Sequence, residues 1–193
     1  LTFAHEIGKA FPRQEILLIK YASGGTSLFA WAPDWKKEDA ALTDNVNAGR
    51  LYENLMRYVQ RCTEGRETKL MGVFWMQGER DARFPAAGTI YEKNFRSFIE
   101  RIREDLGARS LPFVYGIVNP PPQDYPAAGE VREAQRILPE KMSRIKMVDT
   151  DDLSKWDDNL HYDTQGQLEL GRRFAEAIFP YIESGTDRYR DFR

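Results

Sequence analysis

Short apolar runs alternate with amphipathic stretches along this chain. Two continuous apolar runs, residues 15–21 and 70–76, each stop at a polar turn that contains glycine. That pattern is typical of buried strands. Similar runs over residues 111–118 and 145–149 predict two further strands.

Apolar residues at spacings of three and four predict helices between these runs. One helix is predicted from Asn47, another over residues 129–139, and a long one ends near Gly107, a favourable C-cap. The buried face predicted for the long helix is Tyr91, Phe95, Phe98, Ile99, Ile102 and Leu106.

The last predicted helix has the clearest start. Thr164 and Gln167 fit a capping box, in which the two side chains satisfy backbone N–H groups at the helix start. The buried face predicted for this helix is Leu168, Gly171, Phe174, Ala175, Ile178 and Ile182. The polar tail from Glu183 has no apolar period and is predicted to lie on the surface.

The repeated strand–helix order predicts an α/β fold, with a parallel sheet between helices, in one domain that spans residues 1–193. In such folds, ligands bind at the carboxyl ends of the strands. A polar cluster follows each predicted strand: Gly24–Gly25, Gln77–Glu79, Asn119 and residues 149–163. We therefore expect these clusters to meet at one edge of the sheet and to form a site there.

Composition excludes several classes of protein. The 193 residues are 41% hydrophobic and 12% aromatic, which excludes a disordered chain. The 28 basic and 30 acidic residues give a net charge of −2, so we expect neither nucleic acid nor a membrane surface as a partner. No run approaches the roughly 20 apolar residues of a membrane helix. Cys62 is the single cysteine, which excludes an internal disulfide and a cysteine-based zinc site.

The sharpest chemical signal is the pair Asp158 and His161 ahead of the last helix. An aspartate three residues before a histidine can fold back to accept the imidazole Nδ1–H. Nε2 is then left to take a proton from a nucleophile. His5 and His161 are the two histidines of the chain, so only these residues can supply an imidazole for catalysis. The same spacing occurs by chance, and a surface histidine beside acidic residues is the alternative.

Two glycine-containing turns supply further candidate residues. Glu79 is a second carboxylate able to orient His161, and the Gln77 side-chain amide can face a developing oxyanion. Gly24 and Gly25 allow backbone N–H groups to approach a substrate oxygen closely. A simple solvated turn is the alternative for both segments.

Metal and cofactor signals are weak in this sequence. The acidic run 149–152 lacks the ligand spacing of a calcium loop, and the histidines and cysteine are too few for a catalytic zinc site. We therefore expect no metal and no cofactor. Trp31, Trp35 and Trp156 lie in predicted loops at the same edge, where they either stack on sugars or pack the loops onto the domain.

Three blocks carry a family resemblance. They are Lys20–Leu28 (KYASGGTSL), Trp75–Ala82 (WMQGERDA) and Asp158–His161 (DNLH). In this order they resemble the sialate O-acetylesterase-like group of the SGNH hydrolases, which includes the acetyl xylan esterases of carbohydrate esterase family six. The resemblance runs from Phe3 to about Phe179, and the second block is the most specific.

The resemblance implies a flavodoxin-like α/β/α sandwich and serine-dependent deacetylation of xylan, sialic acid or a related sugar, without a cofactor. It makes His161 the general base, oriented by Asp158 or Glu79, and it places Gly25 and Gln77 at the oxyanion. It favours a secreted or periplasmic location. It leaves open the oligomeric state and the choice between the two carboxylates.

The chain departs from this group at the nucleophile. The group's serine lies in a Gly-Gln-Ser-Asn block on a first strand, which these residues lack, and Ser23 does not occupy the nucleophile position. In the group's sheet that strand lies between those matching residues 15–21 and 70–76, so its absence leaves two edges unpaired. We expect a preceding segment to supply both strand and serine. Without it, another strand must fill the gap or the sheet must rearrange, and esterase activity should be absent.

Two other functions compete with the esterase. A non-catalytic carbohydrate-binding remnant of this fold is the main alternative, motivated by the missing serine block and the loop tryptophans. A receiver-like domain with phospho-acceptor aspartates fits poorly, because the acidic cluster follows the last predicted strand rather than the first.

Overall fold

The structure is a computed structural model that describes residues 2–186, with side chains through Ile182. Its helices are α1 (Thr2–Ala10), α2 (Lys37–Ala41), α3 (Leu51–Thr63), α4 (Glu79–Ala82), α5 (Pro85–Asp105), α6 (Ala128–Lys141) and α7 (Thr164–Thr186), with a 3₁₀ turn at Val46–Ala48. Its strands are β1 (Val73–Trp75), β2 (Phe113–Gly116) and β3 (Ile145–Val148). The polar tail predicted from Glu183 lies outside the described side chains.

The three strands form one parallel sheet in the order β1-β2-β3. Val73 lies opposite Phe113, and Phe113 lies opposite Ile145. Because side chains alternate along a strand, Phe113 packs on one face of the sheet and Val114 on the other. Helices cover both faces, so the predicted α/β/α architecture is confirmed.

Helix α5 covers one face of the sheet with an apolar stripe. The stripe predicted from the sequence is confirmed, since Tyr91, Phe95 and Ile99 are completely buried. Phe95 meets the Phe113 ring on β2 at a centroid distance of 5.9 Å. Gly107 ends the helix with a φ of 62°, as the C-cap prediction requires.

Helices α1 and α7 pack together on the opposite face. Ile178 and Ile182 are buried there as predicted, but Leu168 is 41% exposed, and Leu170 packs into this cluster instead. The helix begins at Thr164, and the capping box predicted from Thr164 and Gln167 is wrong. Its cap is the preceding residue, because the Asp163 carboxylate accepts the Gly166 N–H at 2.9 Å.

The strand predicted over residues 15–21 is wrong. This segment has no regular secondary structure, and Ile16, Leu17 and Leu18 are 37%, 42% and 49% exposed. A strand exists through hydrogen bonds to a neighbour, and among the described residues β1 pairs with β2 alone. The apolar run makes no such bonds to the described strands, so it is not a strand.

The segment after this run returns to the core. Trp31 is buried, and its ring lies between Tyr21 and Trp75 at centroid distances of 5.9 and 5.0 Å. This packing holds the Gly24–Gly25 turn beside the end of β1. None of the described helices has the length and apolarity needed to span a bilayer.

Candidate active site

Polar loops that follow the three parallel strands lie at one edge of the sheet. Gln77–Glu79 follows β1, Asn119 follows β2, and residues 149–163 follow β3. The clustering predicted for these three loops is confirmed. The Gly24–Gly25 turn follows no strand, yet it reaches the same edge, because the Gln77 amide donates to the Thr26 carbonyl at 2.9 Å.

A glycine makes the sharp turn at the end of β1. Gly78 has a φ of 147°, a conformation that side-chain-bearing residues rarely adopt. A Cβ at this position would also lie 3.1 Å from the side chains of Val118 and Val131. The turn leads directly into α4, whose first turn carries Glu79 and Asp81.

Asp81 anchors the loop that carries the glycine pair. Its buried carboxylate accepts the Leu28 N–H at 3.0 Å and the Gln77 amide at 2.5 Å. Burial raises the pKa of Asp81 to about 7, and the bonds from Gln77 and Leu28 oppose this rise. Asn45 holds the same loop from the other side, since its side-chain oxygen accepts the Ser27 N–H at 2.6 Å.

The Gln77 amide is engaged inside the protein. Its nitrogen donates to both Thr26 and Asp81, and its oxygen accepts the Tyr91 hydroxyl at 3.3 Å. Donation to an oxyanion would require one of the two N–H bonds to open, so that role of Gln77 stays a prediction. Gly25 is exposed, with a φ of 65° and open space on its outer side.

Asp158 holds His161 in the segment that follows β3. Asp158 Oδ2 lies 2.6 Å from His161 Nδ1, and Oδ1 accepts the backbone N–H groups of Leu160 and His161 at 2.9 and 3.0 Å. The contact with the ring is the largest cause that lowers the pKa of Asp158 to about 2. Because Nδ1–H is donated to this carboxylate, Nε2 is left to accept a proton. The His161 side chain is 72% exposed, so solvent and ligands can reach it.

Glu79 is the second carboxylate close to His161. Burial raises the pKa of Glu79, whereas its own backbone N–H and the nearby charges of His161 and Lys155 lower it. Nδ1–H is donated to Asp158, and Glu79 interacts with the ring electrostatically. Glu79 therefore lies close enough to the segment after β3 to interact with its charges.

Two arginines fix the flanks of the segment that presents His161. Arg132 of α6 donates to the Asp151 carboxylate at 2.7 Å and to a backbone carbonyl of the β2 loop. Arg173 of α7 forms two bonds of 2.6 Å with the Asp152 carboxylate. These charge-assisted pairs tie the segment to both helical layers.

A polar cavity of about 370 Å³ opens beside this segment. Its walls are Asn119, Pro120, Pro121, Pro122, Asp151, Leu153, Lys155 and Asn159. The Lys155 amine donates to the carbonyls of Asn119 and Asn159, so it bridges the loops after β2 and β3. Burial lowers the pKa of Lys155, and the charge of Asp151 is the largest cause that opposes it.

Gly166 controls how closely α7 approaches the segment. A Cβ there would overlap the Ser154 carbonyl oxygen and lie 3.1 Å from the Tyr162 Cβ. We expect Gly166→Ala to lower the free energy of unfolding by about 1–3 kcal/mol through overpacking. Gly129→Ala in α6, which has open space around it, is the matched control and should be neutral or stabilising. Urea denaturation of both variants checks this, and equal stabilities would contradict the packing at Gly166.

Sequence reasoning missed Asp81 and Lys155 as site residues. Asp81 lies four residues after Gln77, but Gln77 precedes α4, so helical spacing does not predict their hydrogen bond. Leu28, the other partner of Asp81, is 53 residues away along the chain. The Lys155 amine donates to the Asn119 carbonyl, 36 residues away along the chain, and no local pattern predicts that contact.

Comparison with known proteins agrees with this architecture. A family model described as carbohydrate esterase, sialic acid-specific acetylesterase, matches residues 1–180. A probable carbohydrate esterase of Arabidopsis thaliana is 32% identical over 167 residues, which cover 83% of this chain and 54% of the plant protein. The chain therefore spans about half the length of this curated relative.

Two solved structures are similar in fold. The 1.6 Å X-ray structure of an Arabidopsis thaliana protein has a TM-score of 0.75 at 29% identity, covering 92% of this chain and 66% of the other. A carbohydrate acetylesterase from Xanthomonas citri has a TM-score of 0.72 at 21% identity, covering 95% and 40%. Both likenesses support the α/β class that the sequence predicts.

Proposed function

The chain belongs to the carbohydrate esterase family of the sialic acid-specific acetylesterase type, and on that premise we propose that it deacetylates carbohydrates with a serine, His161 and Asp158. The observation that carries the proposal is the 2.6 Å contact between Asp158 and His161 Nδ1. It lies at the edge of the sheet where parallel α/β folds bind ligands. A histidine oriented in this way takes a proton through Nε2.

The proposed reaction has two steps. The serine Oγ attacks the acetyl carbonyl carbon while its proton passes to His161 Nε2, and the sugar oxygen then leaves with that proton. A water molecule attacks the acetyl-serine with His161 again as the base, so that acetate is released and the serine recovers its proton. Asp158 stabilises the imidazolium formed in each step. The backbone at Gly25 is proposed to bind the oxyanion, and Gln77 supports that turn through Thr26.

We place the nucleophilic serine on a strand that pairs with the outer edge of β1. Among the described residues this edge has no partner. Leu70 and Met71, which precede β1 in the chain, are exposed, as are Ile16, Leu17 and Leu18. A strand parallel to β1 would end at the same edge as the Asp158–His161 pair. Ser27 is an unsuitable nucleophile, because it is completely buried and its hydroxyl bonds Thr43 at 2.7 Å.

Acetate release from acetylated xylan tests the proposal. A protein in which the serine-bearing strand precedes Leu1, called the full-length enzyme below, is expected to release acetate. Residues 1–193 alone should release none. Release by residues 1–193 alone would refute the external serine. No release from any acetylated carbohydrate by the longer protein would refute the esterase.

Sugar binding without turnover is the second candidate function, and the exposed indole of Trp156 favours it. Calorimetric titration with acetylated xylo-oligosaccharides separates the two functions. Heat of binding without any acetate release would favour the binding protein.

A further inference from the structure

Trp156 differs from the other tryptophans in its exposure. It is 57% exposed, whereas Trp31 and Trp75 are at most 9% exposed. Trp35 is half-buried, with the Arg50 guanidinium 5.6 Å from its ring centre. An indole left in water forgoes the stabilisation that burial of its large apolar surface would give. Its exposed ring is therefore free to stack on a ligand.

The backbone of Trp156 is fixed relative to His161. The Trp156 N–H donates to the His161 carbonyl at 2.9 Å, and the Trp156 carbonyl accepts the Asn159 N–H at 2.9 Å. An aromatic ring on such a pinned turn loses little conformational entropy when a ligand stacks on it. The same turn carries Asp158, so the indole and the histidine pair are presented together.

The polar cavity adjoins this turn. Lys155 and Asn159, the neighbour of Trp156 and its hydrogen-bond partner, line the cavity together with Asn119 and Asp151. These side chains offer both donors and acceptors, as sugar hydroxyls require. The volume of about 370 Å³ lies in the usual range of small-molecule sites.

The segment that carries Trp156 and His161 has a net negative charge. Residues 149–163 contain six aspartates and one lysine. Arg132 and Arg173 neutralise Asp151 and Asp152, which leaves the segment with an excess of carboxylates. A ligand that carried its own carboxylate would be repelled here.

We propose that Trp156 stacks on the apolar face of an uncharged pyranose, whose acetyl ester is directed at His161 and whose hydroxyls enter the polar cavity. The proposal rests on the proposed function and deepens it, because it names neutral acetylated sugars rather than sugar acids as the substrate class.

Kinetics of Trp156 variants test the stacking. In the full-length enzyme, Trp156→Ala should raise KM for an acetylated xylo-oligosaccharide about tenfold with little change in kcat, and Trp156→Phe should recover most of the loss. Hydrolysis of ethyl acetate, which has no sugar ring, should change far less. Leu168→Ala, which removes an exposed side chain on α7, is the matched control. A Trp156→Ala enzyme with an unchanged KM for the oligosaccharide would overturn the stacking.

The preference for neutral sugars over sugar acids is tested by comparing substrates of different charge. At low salt, an O-acetylated sialic acid should react about tenfold or more below the acetylated xyloside in kcat/KM. The gap should narrow as sodium chloride screens the repulsion. A sugar acid that is the better substrate at low salt would overturn the neutral class.

A binding measurement separates this inference from the esterase. In the full-length His161→Ala variant, acetylated xylotriose should change the indole fluorescence, and adding Trp156→Phe should abolish most of that change. This result would support stacking even if no esterase activity were found. Esterase activity with no fluorescence change would refute stacking and leave the esterase standing.

Discussion

His161→Ala is expected to lower kcat/KM for deacetylation by about a thousandfold or more in the full-length enzyme. In the proposed mechanism the imidazole removes the serine proton and returns it to the sugar oxygen, and alanine supplies no base. Initial rates of acetate release from acetylated xylan measure the effect. The side chain is 72% exposed, so its removal should leave the free energy of unfolding nearly unchanged.

His5→Ala is the matched control for this experiment. His5 is the other histidine of the chain, and it is exposed on α1. Its replacement should leave kcat/KM within about twofold of wild type, well under the tenfold that 1.4 kcal/mol represents. Equal activities of the two histidine variants would remove His161 from the mechanism.

The two carboxylates should rank in a defined order. Asp158→Asn removes the negative charge beside Nδ1 and replaces one of the two acceptor oxygens by an NH2 group, so it should reduce kcat/KM about a hundredfold or more. Glu79→Gln keeps this bond and removes only a nearby field, so a reduction below about tenfold is expected. The reverse order would assign the orienting role to Glu79.

Local patterns predicted the parts of the fold that depend on local sequence. The buried face of α5 follows from its helical periodicity, because each turn must bury the same side against the sheet. The Asp158–His161 pair was also predictable from local sequence, because its two partners lie three residues apart in one turn. Such features need no knowledge of the rest of the chain.

Features that depend on a distant partner could not be predicted in this way. Residues 15–21 have the composition of a strand, yet a strand forms only against a neighbour. The Asp81–Leu28 bond joins residues 53 positions apart, and the docking of α1 on α7 joins the two ends of the described chain. Leu168 was assigned to the buried face by periodicity alone, and Leu170 packs there instead.

Asp81→Ala should produce the largest loss of stability among the variants considered. Alanine would remove the acceptor of the buried Leu28 N–H and one acceptor of the Gln77 amide. A buried donor left without a partner costs about 1–3 kcal/mol, so the free energy of unfolding should fall by about 3 kcal/mol or more. Urea denaturation measures the change. A loss below about 1 kcal/mol would mean that solvent replaces these bonds.

The titration of Asp81 gives this prediction a second readout. Native Asp81 has a pKa of about 7, against an ordinary value of 3.8. Between these two values the native state holds a proton that the unfolded chain has released, so stability should fall as pH rises from about 5 to 7. Each unit of pKa difference corresponds to about 1.4 kcal/mol.

The acidic residues with lowered pKa values do not hide the fall in stability between pH 5 and 7. Asp152, Asp158 and Glu169 have pKa values near 2, so they add stability as pH rises, but this gain is complete near pH 5. Glu79 also has a raised pKa and acts in the same direction as Asp81. Glu79→Gln therefore serves as the control, because it keeps the Asp81 part of the slope.

Asp81→Asn should flatten the fall in stability between pH 5 and 7, since the amide does not titrate. It should also be less stable than wild type near pH 5, where the protonated carboxyl still accepts the bonds from Leu28 and Gln77. In the variant, the amide NH2 would face the nitrogen of one of these two donors. The difference between the two proteins should shrink towards pH 7.5. Denaturation curves at pH 5, 6 and 7.5 measure this, and parallel slopes for both proteins would show that Asp81 is ionised throughout. In that case its carboxylate would hold the glycine loop as a permanent charge.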